Sequence, residues 1–424
     1  MRLLDRLPAG TLAIGGGLVV NGLTAYAFIT ISSRDLGAEA YSPVALLWAL
    51  SFLLGIGFFL PLEQETARLV AGRVSRGQGI GPVVKSAARL GASLALGLVA
   101  VSLLAGRWFT NEFFNGETLL FLGLILVVVG LGAAHLVKGT LAGLGRFNGY
   151  ARYVMGEGLG RLLLVGAVLG LATGSIGAYG LAIGLAPLVG ILLATAGQRG
   201  ILTPGPEAHM GDLSKALGSL LVASVATALV LNVSPLAVQI LATPQQADEP
   251  GRFLNALLVA RVPLFFFQAV QAALLPRLST LASQNKFAEL WHELKHLLLL
   301  VGALGIGAVA VMAVVGPQIV EVAFGAEFAV GRQDMVLLAV SSAGLMVVLS
   351  LTQALIACRA QGRMALAWVA GVVAFPLTLL VAGDQLFLRV EIALVATVSV
   401  AAVAMFALLL RFLSAQRVFS PAGD

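Results

Sequence analysis

Residues 253–276 read FLNALLVARVPLFFFQAVQAALLP, a run long enough to cross a bilayer in which Arg261 is the only charge. A guanidinium at membrane depth is costly unless it faces a water-filled cavity or a partner. Pro263 follows almost at once, and a proline removes a backbone donor and bends a helix. The segment therefore reads as a bent membrane helix holding one positive charge, which suits an anionic cargo.

The rest of the chain repeats the apolar pattern. Of 424 residues, 59% are hydrophobic and 11% charged, and mean hydropathy is +0.99. Such a chain lacks the polar surface of a soluble protein and dissolves in lipid through apolar runs of about 20 residues. Twelve runs are expected to span: Ala9 to Ser33, Tyr41 to Leu62, Ser86 to Ala105, Thr118 to Val137, Tyr153 to Thr173 and Ile176 to Ala196, then Ala216 to Leu241, Phe253 to Pro276, Leu297 to Gly316, Met335 to Ala357, Ala365 to Ala382 and Ile392 to Leu410. Period-two alternation is absent, so helices rather than a closed barrel must satisfy the backbone. The basic start Met1–Arg6 and Ala25-Tyr26-Ala27 imitate a leader peptide, but the apolar run between them is longer than a typical leader core. It is read as the first spanning helix.

Lys and Arg mark the cytoplasmic loops. With the N-terminus inside, nineteen basic residues fall in cytoplasmic segments and five, Arg34, Arg107, Arg252, Arg332 and Arg389, in outer ones. An even number of spans then places both termini in the cytoplasm, in the inner membrane of a bacterium. The net charge of +6 is spread over loop after loop, which points to topology and to anionic lipid headgroups rather than to nucleic acid.

Two six-helix lobes are expected, 1–197 and 216–424, joined by a cytoplasmic connector at 198–215. Gly145-Arg146 and Gly362-Arg363 end corresponding helices 217 residues apart, and Pro61 and Pro276 lie 215 apart. Six being even, the repeat is parallel, with a pseudo-twofold axis along the membrane normal. Transporters so built hold substrate between their halves.

Chemistry of other kinds finds little support. The single cysteine, Cys358, forms no internal disulfide, the four histidines are scattered, and the chain has no GxxxxGK[ST] loop. No metal or cofactor is expected, and no loop is large enough to be a catalytic domain. Arg261 either lines a cavity or bonds a neighbouring carbonyl or carboxylate, the cavity being preferred, and Gln268 shares its face. Arg261 would lie roughly 12 Å deep at 1.5 Å per residue. Glu157 and Arg161, four apart, form an ion pair in the favourable order and are the candidate ion-coupling pair. Asn21, Asn232 and Gln239 line a cavity or bond across helices. Arg34 is an interfacial anchor or a cation at the outer mouth.

Several of these stretches carry a resemblance. Arg34-Asp-Leu-Gly37-Ala-Glu39-Ala-Tyr41, Pro61-Leu-Glu63 with Arg68, Gly145-Arg146-Phe147 and Leu275-Pro276-Arg277-Leu278-Ser279 resemble the helix-end motifs of the multidrug/oligosaccharidyl-lipid/polysaccharide exporter superfamily. Within it they look most like the polysaccharide flippases, although Ser42 replaces the usual glycine. Arg261-Val-Pro263 is also similar to the eighth helix of the peptidoglycan lipid flippase. Ala260 stands there for a typical aspartate, and twelve spans replace fourteen, which counts against that cargo. The resemblance implies a non-enzymatic flippase with a cationic cavity for a polyprenyl-pyrophosphate-linked oligosaccharide, alternating access, coupling to an ion or the membrane potential, and glycosyltransferase or polymerase partners. A drug/cation antiporter of the same superfamily would want acidic cavity residues. A polyprenyl-dependent polymerase or ligase would carry a large outer loop.

Overall fold

A computed structural model describes residues 11–171, 173–207, 210–358 and 360–419, with side chains omitted at 11–12, 210–217, 219, 223, 265–266, 268–273, 275–276, 361–362 and 417–419. The basic start at Arg2 and Arg6, His209 and Arg359 lie outside the described residues, as do the side chains of Gln268, Lys215 and Arg417. Among the described residues the chain is helical throughout, without a strand.

The first unit, Met1–Val233, opens with α1, Thr11–Leu54, which is broken at one non-helical residue, Gly37 (φ 74°, ψ 170°). A π turn, Gly55–Phe59, leads into α2, Leu60–Val74. Then come α3 (Gly81–Leu104), the single turn α4 (Gly106–Trp108), a second π turn at Phe109–Phe113, α5 (Thr118–Gly143), α6 (Phe147–Leu171) and α7 (Ile176–Thr195). Helix α8, Met210–Leu241, carries the chain into the second unit, Ser234–Asp424. There α9 (Glu249–Ala260), α10 (Val262–Ser283), α11 (Phe287–Phe324), α12 (Arg332–Ala357), α13 (Gln361–Leu379) and α14 (Leu386–Phe419) follow.

Nine helical stretches among the described residues are long and apolar enough to cross a membrane, with Ala13–Val74 counted once. That stretch holds the first two expected spans. The broken pair α9 and α10 holds the eighth, and the shorter apolar helix Arg363–Leu379 holds the eleventh. The chain is an all-α polytopic membrane protein, and among the described residues each of the twelve expected spans lies mainly on helix.

Several helices extend past the expected boundaries, and three of the differences bear on polar residues. Arg34 to Glu39 is not a loop, because Gly37 alone takes the positive φ that lets α1 change course. The second span runs past Leu62 to Val74, burying Glu63 and Glu65, which read as its polar end. The ninth begins ten residues early, at Phe287, because His292, Glu293 and Lys295 occupy exposed or half-exposed positions on a helix that outruns the apolar stretch.

Both units are built around their fourth spanning helix. In the first, α5 packs on α2, α3 and α7; in the second, α12 packs on α10, α11 and α14. The third helix of each stands at the periphery: 22% of the apolar window of α3 and 17% of that of α11 is buried, against 61% for α12. Glycines set the spacing, as small residues do where lipid supplies no hydrophobic drive between helices. A Cβ at Gly139 would lie 2.5 Å from the Glu63 carbonyl oxygen, and one at Gly143 would lie 2.7 Å from that of Ala67. Backbone cannot yield as a side chain does. Gly139→Ala is therefore expected to destabilise the purified protein by about 1–3 kcal/mol, the cost of overpacking, while Gly15→Ala, with nothing within 4 Å, leaves the thermal midpoint unchanged.

Candidate functional site

Arg261 stands at a true helix break. Its N–H donates to the carbonyls of Leu257 and Leu258 at 3.0 and 3.2 Å, and its own carbonyl accepts from Leu264 at 2.9 Å. Pro263, in the first turn of α10, has no N–H for the Val259 carbonyl, so the ladder stops at Arg261 (φ −92°, ψ −2°) and restarts after it. Arg261 is half-buried, between the buried Val259 and Ala260 on one side and Leu264 on the other. The expected bend is thus a discontinuity with the cation at its centre.

The start of α9 is pinned by Arg252. Its guanidinium meets Glu249 at 3.1 Å and Asp248 at 3.5 Å, and it hydrogen-bonds the Ala329 carbonyl beyond α11. Burial pushes the Glu249 carboxyl up, and Arg252 pulls it back. Asp334 caps α12 by accepting from the Gly331 N–H at 2.8 Å.

Within the second unit one acid was missed by the sequence reading. Glu391 is fully buried, and neither carboxylate oxygen has a hydrogen-bond partner among the described residues. One turn earlier Phe387 meets Phe253 edge-on at 5.2 Å, and the like charge of Asp334 acts on Glu391. The last span was expected to begin at Ile392, which left Glu391 in a loop. Its position just before an apolar run was the available signal.

The first unit holds a connected polar cluster. Glu63, from α2, accepts from the Tyr150 hydroxyl at 2.9 Å, and its other carboxylate oxygen lies 2.9 Å from Lys138 Nζ and 2.8 Å from His135 Nδ1. The Phe59 ring stacks on His135 at 6.3 Å, and Lys138 lies 5.4 Å from the Tyr153 ring centroid. One turn along α6, Tyr153 interacts with Glu157. Glu157 pairs with Arg161 at 3.5 Å, whose guanidinium lies 4.8 Å from the Trp48 ring centroid. The expected Glu157–Arg161 pair is therefore formed, but as one end of a longer buried chain. His135 and Lys138, three apart on α5, are brought to Glu63 by the Gly139 and Gly143 contacts. The sequence showed that spacing and did not show its partner.

The remaining candidates disperse. Asn21 faces α6 where a Cβ on Gly158 would lie 2.8 Å from its Oδ1, close to the Glu157–Arg161 pair. Asn232 turns its amide back to the Ala228 carbonyl at 3.1 Å within α8. Gln239 is half-buried near the end of α8 and belongs to the second unit with Arg261. Arg34 is exposed in the first. Its neighbour Asp35 accepts from the Tyr179 hydroxyl at 2.8 Å and the Gly174 N–H at 2.9 Å, tying α1 to the start of α7. Gln268 lies on α10, two turns beyond Arg261.

Solved structures share this arrangement of helices. An inward-facing multidrug resistance MATE family transporter of the MOP superfamily matches 94% of the chain and 96% of its own, with a TM-score of 0.76 and 14% sequence identity. The chain has the MATE fold. A second MATE-fold protein, the Pyrococcus furiosus MOP superfamily transporter described by the reverse polarity of its binding pocket, matches 96% of both chains with a TM-score of 0.65 and 14% identity. No family model matches the sequence. Two Mycobacterium tuberculosis proteins, Uncharacterized protein Rv1510 and Uncharacterized protein Rv3630, are 27% and 26% identical over 396 residues, 88% of this chain and 87% and 86% of theirs. The superfamily suggested by the helix-end motifs is thus the one whose fold the chain shares.

Removing one member of a buried ion pair leaves an uncompensated charge, at about 3–5 kcal/mol. Lys138→Met is expected to destabilise the purified protein by that order. Adding Glu63→Gln should recover most of the loss, and a double-mutant cycle in thermal unfolding measures the coupling.

Proposed function

We propose that the chain is a membrane transporter that carries a polyprenyl-pyrophosphate-linked oligosaccharide from the cytoplasmic to the outer leaflet by alternating access. The single observation that carries this reading is Arg261 at the break between α9 and α10. Broken helices are where membrane proteins set irregular backbone beside a cavity and coordinate charged cargo. Here the residue at the break is a cation, which fits a pyrophosphate, and a guanidinium matches phosphate oxygens in a bidentate way. The neutral sugars would occupy polar positions nearby, with the polyprenyl tail left in lipid. The N-terminus lies in the cytoplasm on this reading, since that orientation gives the cytoplasmic loops most of the arginines. Arg34 assists at the outer mouth, and the Glu157–Arg161 pair is the candidate for ion coupling. The P. furiosus neighbour is described by a binding pocket of reversed polarity, so pocket polarity varies on this fold. Glycosyltransferases or a polymerase of a surface-glycan pathway would act before and after it.

A second reading has an observation of its own. A drug/cation antiporter wants buried acids, and Glu391 is one without a partner among the described residues.

Reconstitution separates the two readings. With labelled undecaprenyl-pyrophosphate oligosaccharide in proteoliposomes, the wild type should expose label on the far leaflet. Arg261→Ala should slow it about 10- to 100-fold, the worth of a charge-assisted hydrogen bond, and Arg261→Glu should abolish it. Normal flipping by Arg261→Glu would remove the role assigned to this residue. Uptake of a cationic dye that is lost in Glu391→Gln and indifferent to Arg261 would establish the antiporter instead.

A further inference from the structure

The polar segment after α7 has the composition of a flexible linker, yet it is docked. Arg73, in the last turn of α2 and buried, donates Nη1 to the Gly79 carbonyl at 3.2 Å and to that of Pro206, and Nη2 to the Glu207 carbonyl at 2.8 Å. The Gly81 N–H donates to the Thr203 carbonyl at 2.8 Å, and the Ile80 N–H to Thr203 Oγ1 at 3.1 Å. The two backbones touch: a Cβ on Gly79 would lie 1.7 Å from the Pro204 carbonyl oxygen, and one on Gly205 would lie 2.1 Å from that of Gly79. A second clamp holds the start of the segment. Arg146 reaches Gln198 Oε1 and the Arg199 carbonyl, both at 2.9 Å, and Arg152 reaches the Ala196 carbonyl at 3.1 Å.

The first part of α8 is held by the same unit. Ser224 Oγ donates to the Ile56 carbonyl in the first π turn at 2.8 Å, Leu221 packs on Leu62 and Ala87, and a Cβ on Gly57 would lie 3.3 Å from that of Ala228. The change of unit comes between Val233 and Ser234. Pro235 follows directly and deprives the Leu231 carbonyl of its helical donor. The amide of Asn232 turns back to Ala228, and the Ser234 hydroxyl is fully buried without a partner among the described residues. A helix bends most readily where its own ladder is already interrupted.

We propose that the mechanical joint between the two units is Asn232–Pro235, in the middle of α8, and that residues 196–207 are a brace belonging to the first unit. Arg73 is the clamp of that brace. The polar connector is then a fixed part, and bending is concentrated inside an apolar helix. This inference does not depend on which cargo is carried.

Amide hydrogen exchange on the purified full-length protein tests it. The amides of Ile80 and Gly81, which donate into the brace, should exchange as slowly as those of the first full turn of α3, while amides at 231–238 should exchange at least about tenfold faster than those at 224–230, a difference of about 1.4 kcal/mol in local opening. Pro235→Ala restores the missing donor and should slow the 231–238 region by a similar factor. Arg73→Ala loosens the brace and should speed exchange at residues 80 and 81 about tenfold, given the charge-assisted bonds it removes, without changing 231–238. Amides at 124–135 in α5 report whether that variant has kept its fold. Thr203→Val, which removes only the Ile80 acceptor, is a milder disturbance that should speed residue 80 alone. Wild-type amides at residues 80 and 81 exchanging faster than the middle of α8, or a Pro235→Ala variant with unchanged exchange there, overturns the proposal.

Discussion

The first unit depends on the approach of α2 to α5. Without side chains at Gly139 and Gly143, two backbones come close enough for His135 and Lys138 to reach Glu63, and only that reach makes a buried carboxylate tolerable there. The rest of the cluster grows from this contact: Tyr150 completes the carboxylate's shell, and Tyr153, beside Lys138, leads on to Glu157, Arg161 and Trp48. Lipid offers no hydrogen bonds, so the charged groups of this cluster are tolerable where helix packing sets opposite charges beside one another. Packing and electrostatics are therefore a single constraint in this unit.

Backbone interruptions organise the chain at three other places, each with a local cause. Gly37 supplies a positive φ that turns α1. Pro263 ends the ladder at Arg261, and Pro235 interrupts α8 where the units change over. Prolines and glycines that would be liabilities in soluble helices here decide where a long apolar rod changes direction.

Much of the fold was legible because hydropathy reports helices directly when the solvent is lipid. Among the described residues the twelve expected spans lie mainly on helix, and Arg261 could be singled out because an isolated charge stands out against Phe253–Pro276. The charges at span ends were harder to read. Glu63 and Glu391 stood at the edges of apolar runs, where an acid normally marks the membrane surface, and their burial comes from tertiary packing that one sequence does not encode locally. The reach of α2 past Leu62 was hidden for the same reason. Glu157 and Arg161 were paired correctly by helical spacing, whereas the chain of contacts continuing to Glu63 joins α2, α5 and α6 and has no local signature. Asn232 is a related case, since its amide serves its own helix.

The peripheral third helix of the second unit carries a different implication. At 38 residues, α11 extends about 57 Å at 1.5 Å per residue, its polar first turns reaching beyond an apolar run that matches a hydrocarbon core of about 30 Å. With 17% of its apolar window buried within the protein, this helix has few packing contacts to fix its tilt, which leaves the match to bilayer thickness a larger share. A thinner or thicker bilayer would press first on this helix. Because α11 packs on α12, such a pressure would reach the core helix of this unit through it.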